Sequence, residues 1–292
     1  MSKAKRITGY LVTLTAVIAA GYVLSNMFSE YLFQPWTRDG HVRAQIIKIT
    51  PRVSGPIVDL PINDNQKVQK GDLLFRIDPR TYELAVEQAE AKLQQALASE
   101  LVKQDQATRG KELYRKDRGA ISEQALVRKK NDLLVARANV QVAQSNLEKA
   151  RLDLEFTEVR APVDGYVTNL LLRYGSQTVA NQPALALIDS NSFWVHGYFK
   201  ETQVEYIRKD NKAVIKLMTY PDAPLEGVVE SMGWGIAQQD GAPAADLLPS
   251  IKPSFDWIRL AQRIPVRIRL THIPDEVDLR VGSSASVFIE TE

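Results

Sequence analysis

Hydrophobic residues recur with a seven-residue period near the middle of the chain, between about Thr81 and Glu155. In the second half of this stretch an apolar residue occupies every seventh position, and a small residue follows most of them three or four places later: Leu126, Leu133, Val140, Leu147 and Leu154, then Ala136, Ala143 and Ala150. Alternating spacings of three and four are typical of a coiled-coil seam. The pattern therefore predicts a long helix that packs along one narrow stripe.

The first half of the same stretch has a less regular apolar face, made of Val86, Ala89, Leu93, Ala96, Leu97 and Leu101. A polar break at Lys116–Ala120 separates the two halves. Gly119 suits the end of one helix, and Ser122 followed by Glu123 suits the start of another. We predict an antiparallel helical hairpin over residues 80–155, with arms of roughly 30 residues that are about 45–50 Å long.

An apolar run from Ile7 to Phe28 follows basic residues at the N-terminus. About 20 such residues suffice to cross a bilayer core, and the basic flank predicts a cytoplasmic N-terminus. Residues 1–29 are therefore predicted to be a short stub and an uncleaved membrane anchor. The alternative is a signal peptide cut near Ala19-Ala20. The length of the run and the unfavourable Ile18 argue against such a cut.

Two β-rich segments on either side of the hairpin resemble each other. Gly55 aligns with Gly165 at an offset of 110 residues, whereas Val68 aligns with Val179, and Asp78 with Asp189, at an offset of 111. Two similar halves predict one small two-fold β sandwich, which the hairpin splits into residues 50–79 and 156–190. The alternative is that short β segments containing proline and glycine resemble each other by chance.

From Phe193 onward the chain alternates between apolar and polar positions. The alternation in 194–199, 213–218, 227–232 and 264–270, with a last segment at 281–290, predicts a small antiparallel barrel over residues 191–292. A polar insert at 236–255 is predicted to be a mobile loop. Residues 30–49 are predicted to contain a membrane-proximal segment and a first barrel strand at Gly40–Thr50. The predicted fold class is thus mainly β, with a transmembrane helix and a long coiled-coil hairpin.

Composition and charge exclude several classes of function. The formal net charge of +2 gives no bulk attraction for nucleic acid, and the absence of cysteine excludes disulfides and thiolate metal sites. His41, His196 and His272 are isolated along the chain, and no catalytic or phosphate-binding motif is present. We therefore expect no catalysis, cofactor or metal. An anchor, a barrel, a sandwich and a hairpin together indicate an adaptor.

Several sequence blocks resemble the HlyD/EmrA-like periplasmic membrane fusion (adaptor) proteins. The blocks typical of the family are Val53–Gly55, Lys67–Asp78 and Arg160–Asn169. Four others are similar to the subgroup that includes the p-hydroxybenzoic acid efflux adaptor: Pro35–Asp39, Asn191–Val195, Lys200–Thr202 and Trp257–Arg269. The two halves of the sandwich also resemble a biotinyl/lipoyl-type domain. The lysine that carries the cofactor in such domains has no counterpart here, so a carrier role is excluded.

The family resemblance implies a ring, commonly of six copies, at an inner-membrane transporter, with hairpins that meet a TolC-like outer-membrane channel. The tip motif of the family is an arginine, a leucine four residues later and a serine or threonine seven beyond. Arg109 and Leu113 have this spacing, whereas Ser122 is nine residues beyond Leu113, after an apparent insertion at Asp117-Arg118. These residues are carried over as channel-docking residues. The alternative is that Arg109 is a solvated charge and Leu113 a seam residue.

The sequence as a whole predicts a single-pass inner-membrane adaptor of a tripartite efflux pump, with its body in the periplasm. The resemblance implies small aromatic carboxylic acids or drugs as cargo, and makes Trp36 and Arg38 candidate contacts with the transporter. Anchoring at the membrane interface is the alternative role for these two residues. Two other functions stay open: a coiled-coil scaffold without transport, and an adaptor for protein secretion by an ABC transporter. The short hairpin and short cytoplasmic stub disfavour the latter.

Overall fold

The computed structural model describes residues 34–235, 261–274 and 276–291, together with residues 13, 15–18 and 20–22. The chain divides into two compact units, one formed by Met1–Gln45 with Ser192–Glu292 and the other by Ile46–Asn191. Most of the predicted anchor Ile7–Phe28, and the whole of the predicted loop 236–255, lie outside the described residues. Among the helices that are described, none is both long and apolar enough to cross a membrane.

From Gln34 onward the described residues form strands and helices with the following bounds, in chain order: β1 Trp36–Arg43, β2 Ile46–Ile49, β3 Gly55–Asp59, β4 Lys67–Val68, β5 Leu73–Ile77, α1 Arg80–Lys116, α2 Glu123–Glu155, β6 Glu158–Arg160, β7 Gly165–Thr168, β8 Gln177–Thr178, β9 Leu185–Asp189, β10 Trp194–Lys200, α3 Glu201–Val204, β11 Lys212–Leu217, β12 Leu225–Met232, β13 Arg263–His272 and β14 Ser284–Ile289.

The first unit contains a closed barrel with the strand order β1-β10-β13-β12-β11-β14, in which all neighbours are antiparallel. Alternate residues of each strand point inward, so that Val195 and Phe199 of β10 are fully buried while Tyr198 between them is only half-buried. The inward residues of the six strands form one hydrophobic core. The predicted antiparallel barrel is confirmed.

The first barrel strand differs from the prediction. We expected one strand over Gly40–Thr50, but β1 ends at Arg43 in the barrel and β2 begins at Ile46 in a different sheet. Between them, the backbone N–H of Gln45 donates to Ser192 Oγ at 2.8 Å instead of to a strand. Alternation continues through the break, so the sequence pattern does not show where the chain changes sheet. The limit between barrel and sandwich therefore lies at 45/46 rather than at 49/50.

The β part of the second unit consists of two four-stranded sheets with the orders β2-β9-β7-β4 and β6-β5-β3-β8. The strands β2 to β5 correspond in order to the strands β6 to β9. If every strand of the first sheet is replaced by its counterpart, the strand order of the second sheet results. Each half of the repeat therefore supplies two strands to each sheet, and neither half could form its sheet alone. The two-fold relation predicted from the sequence is confirmed by this strand order.

Turn geometry follows the same two-fold relation. Gly71 and Asn181 are equivalent positions, and both have positive φ angles, of 94° and 65°. The N–H of Gly71 donates to the Ala161 carbonyl at 2.8 Å, and the N–H of Asn181 donates to the Pro51 carbonyl at 2.9 Å. Asparagine is one of the few residues other than glycine that tolerate this conformation, so a different residue type keeps the same turn.

One alignment within the repeat is wrong by a residue. Val68 was matched with Val179, but Val179 is 47% exposed, whereas Thr178 is buried like Val68. The Thr178 hydroxyl donates to the Gly55 carbonyl at 2.9 Å, which satisfies its buried oxygen. A buried threonine that bonds to the backbone can replace valine in shape. Because threonine is less hydrophobic than valine, a comparison by hydrophobicity matches Val68 with Val179 instead of with Thr178.

Helices α1 and α2 contain 37 and 33 residues and pack against each other in antiparallel orientation. Two ion pairs between them define the direction: Glu90 pairs with Arg151 at 2.8 Å, and Glu100 with Arg137 at 3.2 Å. The residues buried along the contact are small or branched, namely Ala89, Ala107, Gly110, Leu126, Ala136, Ala143 and Leu147. Small residues allow two helix backbones to approach closely along such a stripe.

The contact face of α1 differs from the predicted one. Leu97 and Leu101 were assigned to it, but they are 41% and 69% exposed. The buried and half-buried positions instead continue the alternating spacing through Glu100 and Lys103 to Ala107. Two charged residues therefore occupy positions that hydrophobicity alone would not select, and Glu100 is satisfied there by Arg137.

Candidate functional site

The connection between α1 and α2 is a short polar turn held by its own side chains. Helix α1 ends at Lys116, where the N–H of Asp117 donates to the Leu113 carbonyl at 2.9 Å. The Asp117 carboxylate accepts from the N–H of Gly119 at 2.8 Å. Asp117 therefore ends the helix, two residues before the glycine that the sequence suggested. The turn leaves the last residues of α1 exposed at the end of the hairpin.

Arg109 lies on the exposed surface of α1, with 74% of its side chain accessible, and pairs with Asp105 one turn earlier. The hydrogen bond from Arg109 lowers the pKa of the Asp105 carboxyl below its ordinary value, so the aspartate stays charged. Leu113, four residues further on, is 51% exposed on the same side of the helix. Leu113 is therefore not buried in the contact with α2, and both residues are open to a partner.

Ser122 is the N-cap of α2, and its Oγ accepts from the N–H of Ala125 at 3.2 Å. The structure thus brings Arg109 and Leu113 onto one face, while the hydroxyl of Ser122 already has a structural role. Sequence reasoning missed Gly110, which is buried against α2: a Cβ at this position would lie 2.9 Å from Lys129 Cδ. The sequence does contain an indication of this, because Gly110 follows Ala107 by three residues and so continues the alternating spacing of the contact face.

Ser122→Ala should destabilise the start of α2 by about 1 kcal/mol, because the first turn loses its side-chain cap. Amide hydrogen exchange at Ala125 and its neighbours should become faster, while exchange near Ala143 should not change. Ser145→Ala, at an exposed position inside the same helix, is the matched control, and there alanine should be neutral or slightly stabilising. Equal protection of the first turn in both variants would contradict the capping role.

Trp36 and Arg38 lie on the outer face of β1. The Arg38 guanidinium carbon is 5.4 Å from the centre of the Trp36 ring, and Trp36 is 37% exposed. Across the sheet Trp36 stands opposite Phe288 of β14. The two residues therefore form one surface feature of the barrel wall, in which a cation is placed over an aromatic ring.

Two of the three histidines are neighbours in three dimensions. His41 of β1 and His196 of β10 are direct partners across the strand pair, and His41 Nε2 lies 3.2 Å from the Asp39 carboxylate. Because the two residues are far apart along the chain, no local sequence pattern indicates this pairing. Within residues 34–235, 261–274 and 276–291, no group of three or more histidine, aspartate or glutamate side chains could hold a metal ion.

The pKa of His196 is lowered from its ordinary value of 6.5, mainly by burial and further by the positive charges of Arg267 and Arg43. The unfolded chain therefore binds this proton more readily than the folded chain. The contribution of neutral His196 to the free energy of unfolding is therefore fully present above about pH 6.5 and is lost as the pH falls through the lowered pKa.

In His196→Gln, the drop in unfolding midpoint between about pH 7.5 and pH 5 should become smaller. His272→Gln, at an exposed position, should keep the full drop.

Two family descriptions cover nearly all of the described chain. The family described as RND MFP, barrel-sandwich hybrid domain, matches residues 45–190, and the AAEA-like beta-barrel domain matches residues 192–290. The uncharacterized protein YdhJ of Escherichia coli (strain K12) is 39% identical over 277 residues, which cover 94% of this chain and 96% of YdhJ. The chain belongs to the membrane fusion protein family. Members of this family are periplasmic adaptors, as in tripartite efflux pumps.

Solved structures share the fold. Similar chains include the membrane fusion protein Spr0693 from Streptococcus pneumoniae R6, with a TM-score of 0.60, 16% identity and coverage of 88% of this chain and 99% of that one. MacA from Actinobacillus actinomycetemcomitans has a TM-score of 0.54, 19% identity and coverage of 89% and 79%. The periplasmic adaptor protein EmrA has a TM-score of 0.51, 20% identity and coverage of 89% and 99%. Membrane fusion proteins work with inner-membrane transporters and outer-membrane channels, and they oligomerise.

Proposed function

We propose that this membrane fusion protein is the adaptor subunit of a tripartite efflux pump, joining an inner-membrane transporter to a TolC-like outer-membrane channel. Family membership over the barrel and the sandwich carries the proposal. In this role Ile7–Phe28 anchors the chain in the inner membrane, and the body lies in the periplasm. The protein performs no catalysis. It connects the transporter to the channel and helps to gate the export path.

The hairpin is the part that reaches the channel. At 1.5 Å per residue, helix α1 with its 37 residues spans about 55 Å, which suits a bridging role. Arg109 and Leu113 are exposed near its end, and Ser122 begins the returning helix. These three residues are the proposed channel contacts. Whether the helix pair supercoils as a coiled coil stays a prediction.

Exposed aliphatic side chains on both flanks of the hairpin support self-association into a ring, for which we propose six copies. The flank that carries the Glu90–Arg151 ion pair exposes Leu97, Leu101, Val127 and Leu134. By helical periodicity the opposite flank exposes Val102, Leu113, Val135 and Val142. Hairpins set side by side would bury one flank of each copy against the other flank of its neighbour, which is the contact that closes a ring.

Trp36 and Arg38 are the proposed contacts with the transporter, because they lie shortly after the predicted anchor and share one exposed outer surface. Small aromatic carboxylic acids are the proposed cargo. This choice follows from the resemblance of Pro35–Asp39 and Trp257–Arg269 to the p-hydroxybenzoic acid efflux subgroup.

Arg109→Asp tests the docking role. The variant should reduce tolerance of aromatic acids to the level of a strain that lacks the protein, because the channel then meets a reversed charge. In a second strain, Arg109→Cys in this cysteine-free chain should crosslink to the TolC-like channel in cells.

Arg115→Asp is the matched control, since it reverses another exposed charge near the tip on the other flank of α1 and should leave tolerance intact. If Arg109→Asp preserves full tolerance and Arg109→Cys gives no crosslink, docking through this tip is wrong. A scaffold without a transport role would then be the better function.

A further inference from the structure

An open groove of about 690 Å³ lies on the outer wall of the barrel, across β1, β14 and β11. Its floor is formed by the outward side chains of three neighbouring strands. The pairing registers place these side chains in rows that cross the strands. The groove is not part of the tip or of the hairpin flanks, and its walls belong to the barrel unit alone.

Two of these rows differ sharply in chemistry. Phe288 stands opposite Trp36 on one side and Val214 on the other, and these three residues are called the aromatic row. Ser286 stands opposite Lys216, and these two are called the cationic row together with Arg38 of β1, whose guanidinium lies over the Trp36 ring. Successive outward residues of a strand are about 6.6 Å apart, so the rows are separated by about that distance.

Both rows are accessible. Trp36 and Phe288 are each 37% exposed. Among the residues that the structure describes, neither Arg38 nor Lys216 forms an ion pair. Glu290 borders the groove on the far side of the aromatic row. The groove therefore has Lys216 at one end and Glu290, whose neighbour across the strand pair is Lys212, at the other, with the exposed ring of Phe288 between them.

We propose that this groove binds a small aromatic carboxylate, with its ring on the aromatic row and its carboxylate on the cationic row. The distance from the centre of a benzoate ring to its carboxylate oxygens is well within the row separation, and the flexible Lys216 side chain closes the remaining gap. The ligand class matches the proposed cargo, and in that respect the inference rests on the proposed function. The groove itself does not depend on it.

Benzoate titrated into the full-length protein in detergent micelles tests the site by calorimetry. We expect saturable binding with a dissociation constant on the order of 1 mM, as suits a ligand of this size in an open groove. Lys216→Gln should weaken binding about tenfold, since a charge-assisted contact is lost. Lys209→Gln, at an exposed position of the same unit outside the groove, should bind benzoate like the natural protein.

Two ligands of matched shape separate charge from stacking. Benzamide has the same planar ring without the charge and should bind at least about tenfold more weakly than benzoate. Cyclohexanecarboxylate keeps the charge without the aromatic face and should also be weaker. The proposal is overturned if benzoate shows no saturation by about 10 mM, or if Lys216→Gln binds as well as the natural protein.

The binding result and the export result are independent. If benzoate does not bind but Arg109→Asp abolishes tolerance, the groove assignment is wrong and the adaptor role stands, with Trp36 and Arg38 left as a surface for the transporter. If benzoate binds as expected while Arg109→Asp is harmless, the groove assignment stands and docking through the tip is wrong.

Discussion

Gly165→Ala should unfold the sandwich or destabilise it by roughly 3 kcal/mol or more, because the added methyl group has no space. A Cβ at Gly165 would lie 2.1 Å from the carbonyl oxygen of Ile188, an atom of the neighbouring strand β9. Backbone cannot rotate away as a side chain can, so β7 and β9 must separate. Faster amide exchange throughout β7 and β9, and a lower unfolding midpoint, would measure the effect.

The internal repeat supplies a matched control. Gly55 is the equivalent of Gly165 in the first half, but a Cβ there would meet the Cγ2 methyl of Ile77, at 2.6 Å, and no backbone atom. The buried Cγ2 methyl of Ile77 must shift by a small χ1 rotation within the core, so Gly55→Ala should cost about 1–3 kcal/mol, less than Gly165→Ala because no backbone atom has to move. If the two variants are equally stable, close backbone approach is not the reason for glycine at residue 165.

Phe199→Ala should destabilise the barrel by about 3–5 kcal/mol, the range for removal of a fully buried phenylalanine. Phe199 is completely buried, and its ring lies so close to Gly197 that a Cβ there would be 2.7 Å from it. The cavity cannot close by movement of one strand, because the barrel is closed on all sides. Chemical unfolding, read by exchange of the barrel amides, would measure the loss.

Phe288→Ala is the control for this change, since it removes the same side chain from the outside of the barrel, where Phe288 is 37% exposed. The expected cost is about 1 kcal/mol. The same variant should also weaken benzoate binding, because the aromatic row loses its central ring. Equal losses of stability at both positions would contradict the inward and outward assignment of the two strands.

Periodic patterns predicted most of the fold. The alternating spacing in Leu126–Leu154 located helix α2, and the alternation around Val195–Phe199 located an inward and an outward face of β10. The repeat between Gly55 and Gly165 predicted two related halves before any strand order was known. These patterns are readable because a helix and a strand each turn their side chains with a fixed period.

The errors arose where a contact from another part of the chain overrides the local pattern. Leu97 and Leu101 are more hydrophobic than Glu100, yet Glu100 lies at the helix contact because Arg137 pairs with it there. Val179 was preferred to Thr178 because the hydrogen bond of Thr178 to Gly55 is not visible in the sequence. The tip residues Arg109 and Leu113 were found by resemblance, and the structure adds only that they are exposed on one face.

The sequence by itself determined the order of the parts, the repeat, the outer bounds of the hairpin and the residue types at its tip, because each of these depends on neighbours along the chain. The arms themselves are longer than the roughly 30 residues predicted, since α1 has 37 residues and α2 has 33. The tertiary structure decided which distant residues meet. Only the barrel closure and its registers bring Trp36 beside Phe288 and His41 beside His196, and place Lys216 next to Ser286. Strand registers depend on contacts between segments that are far apart along the chain, such as Trp36 and Phe288, and no local periodicity encodes them.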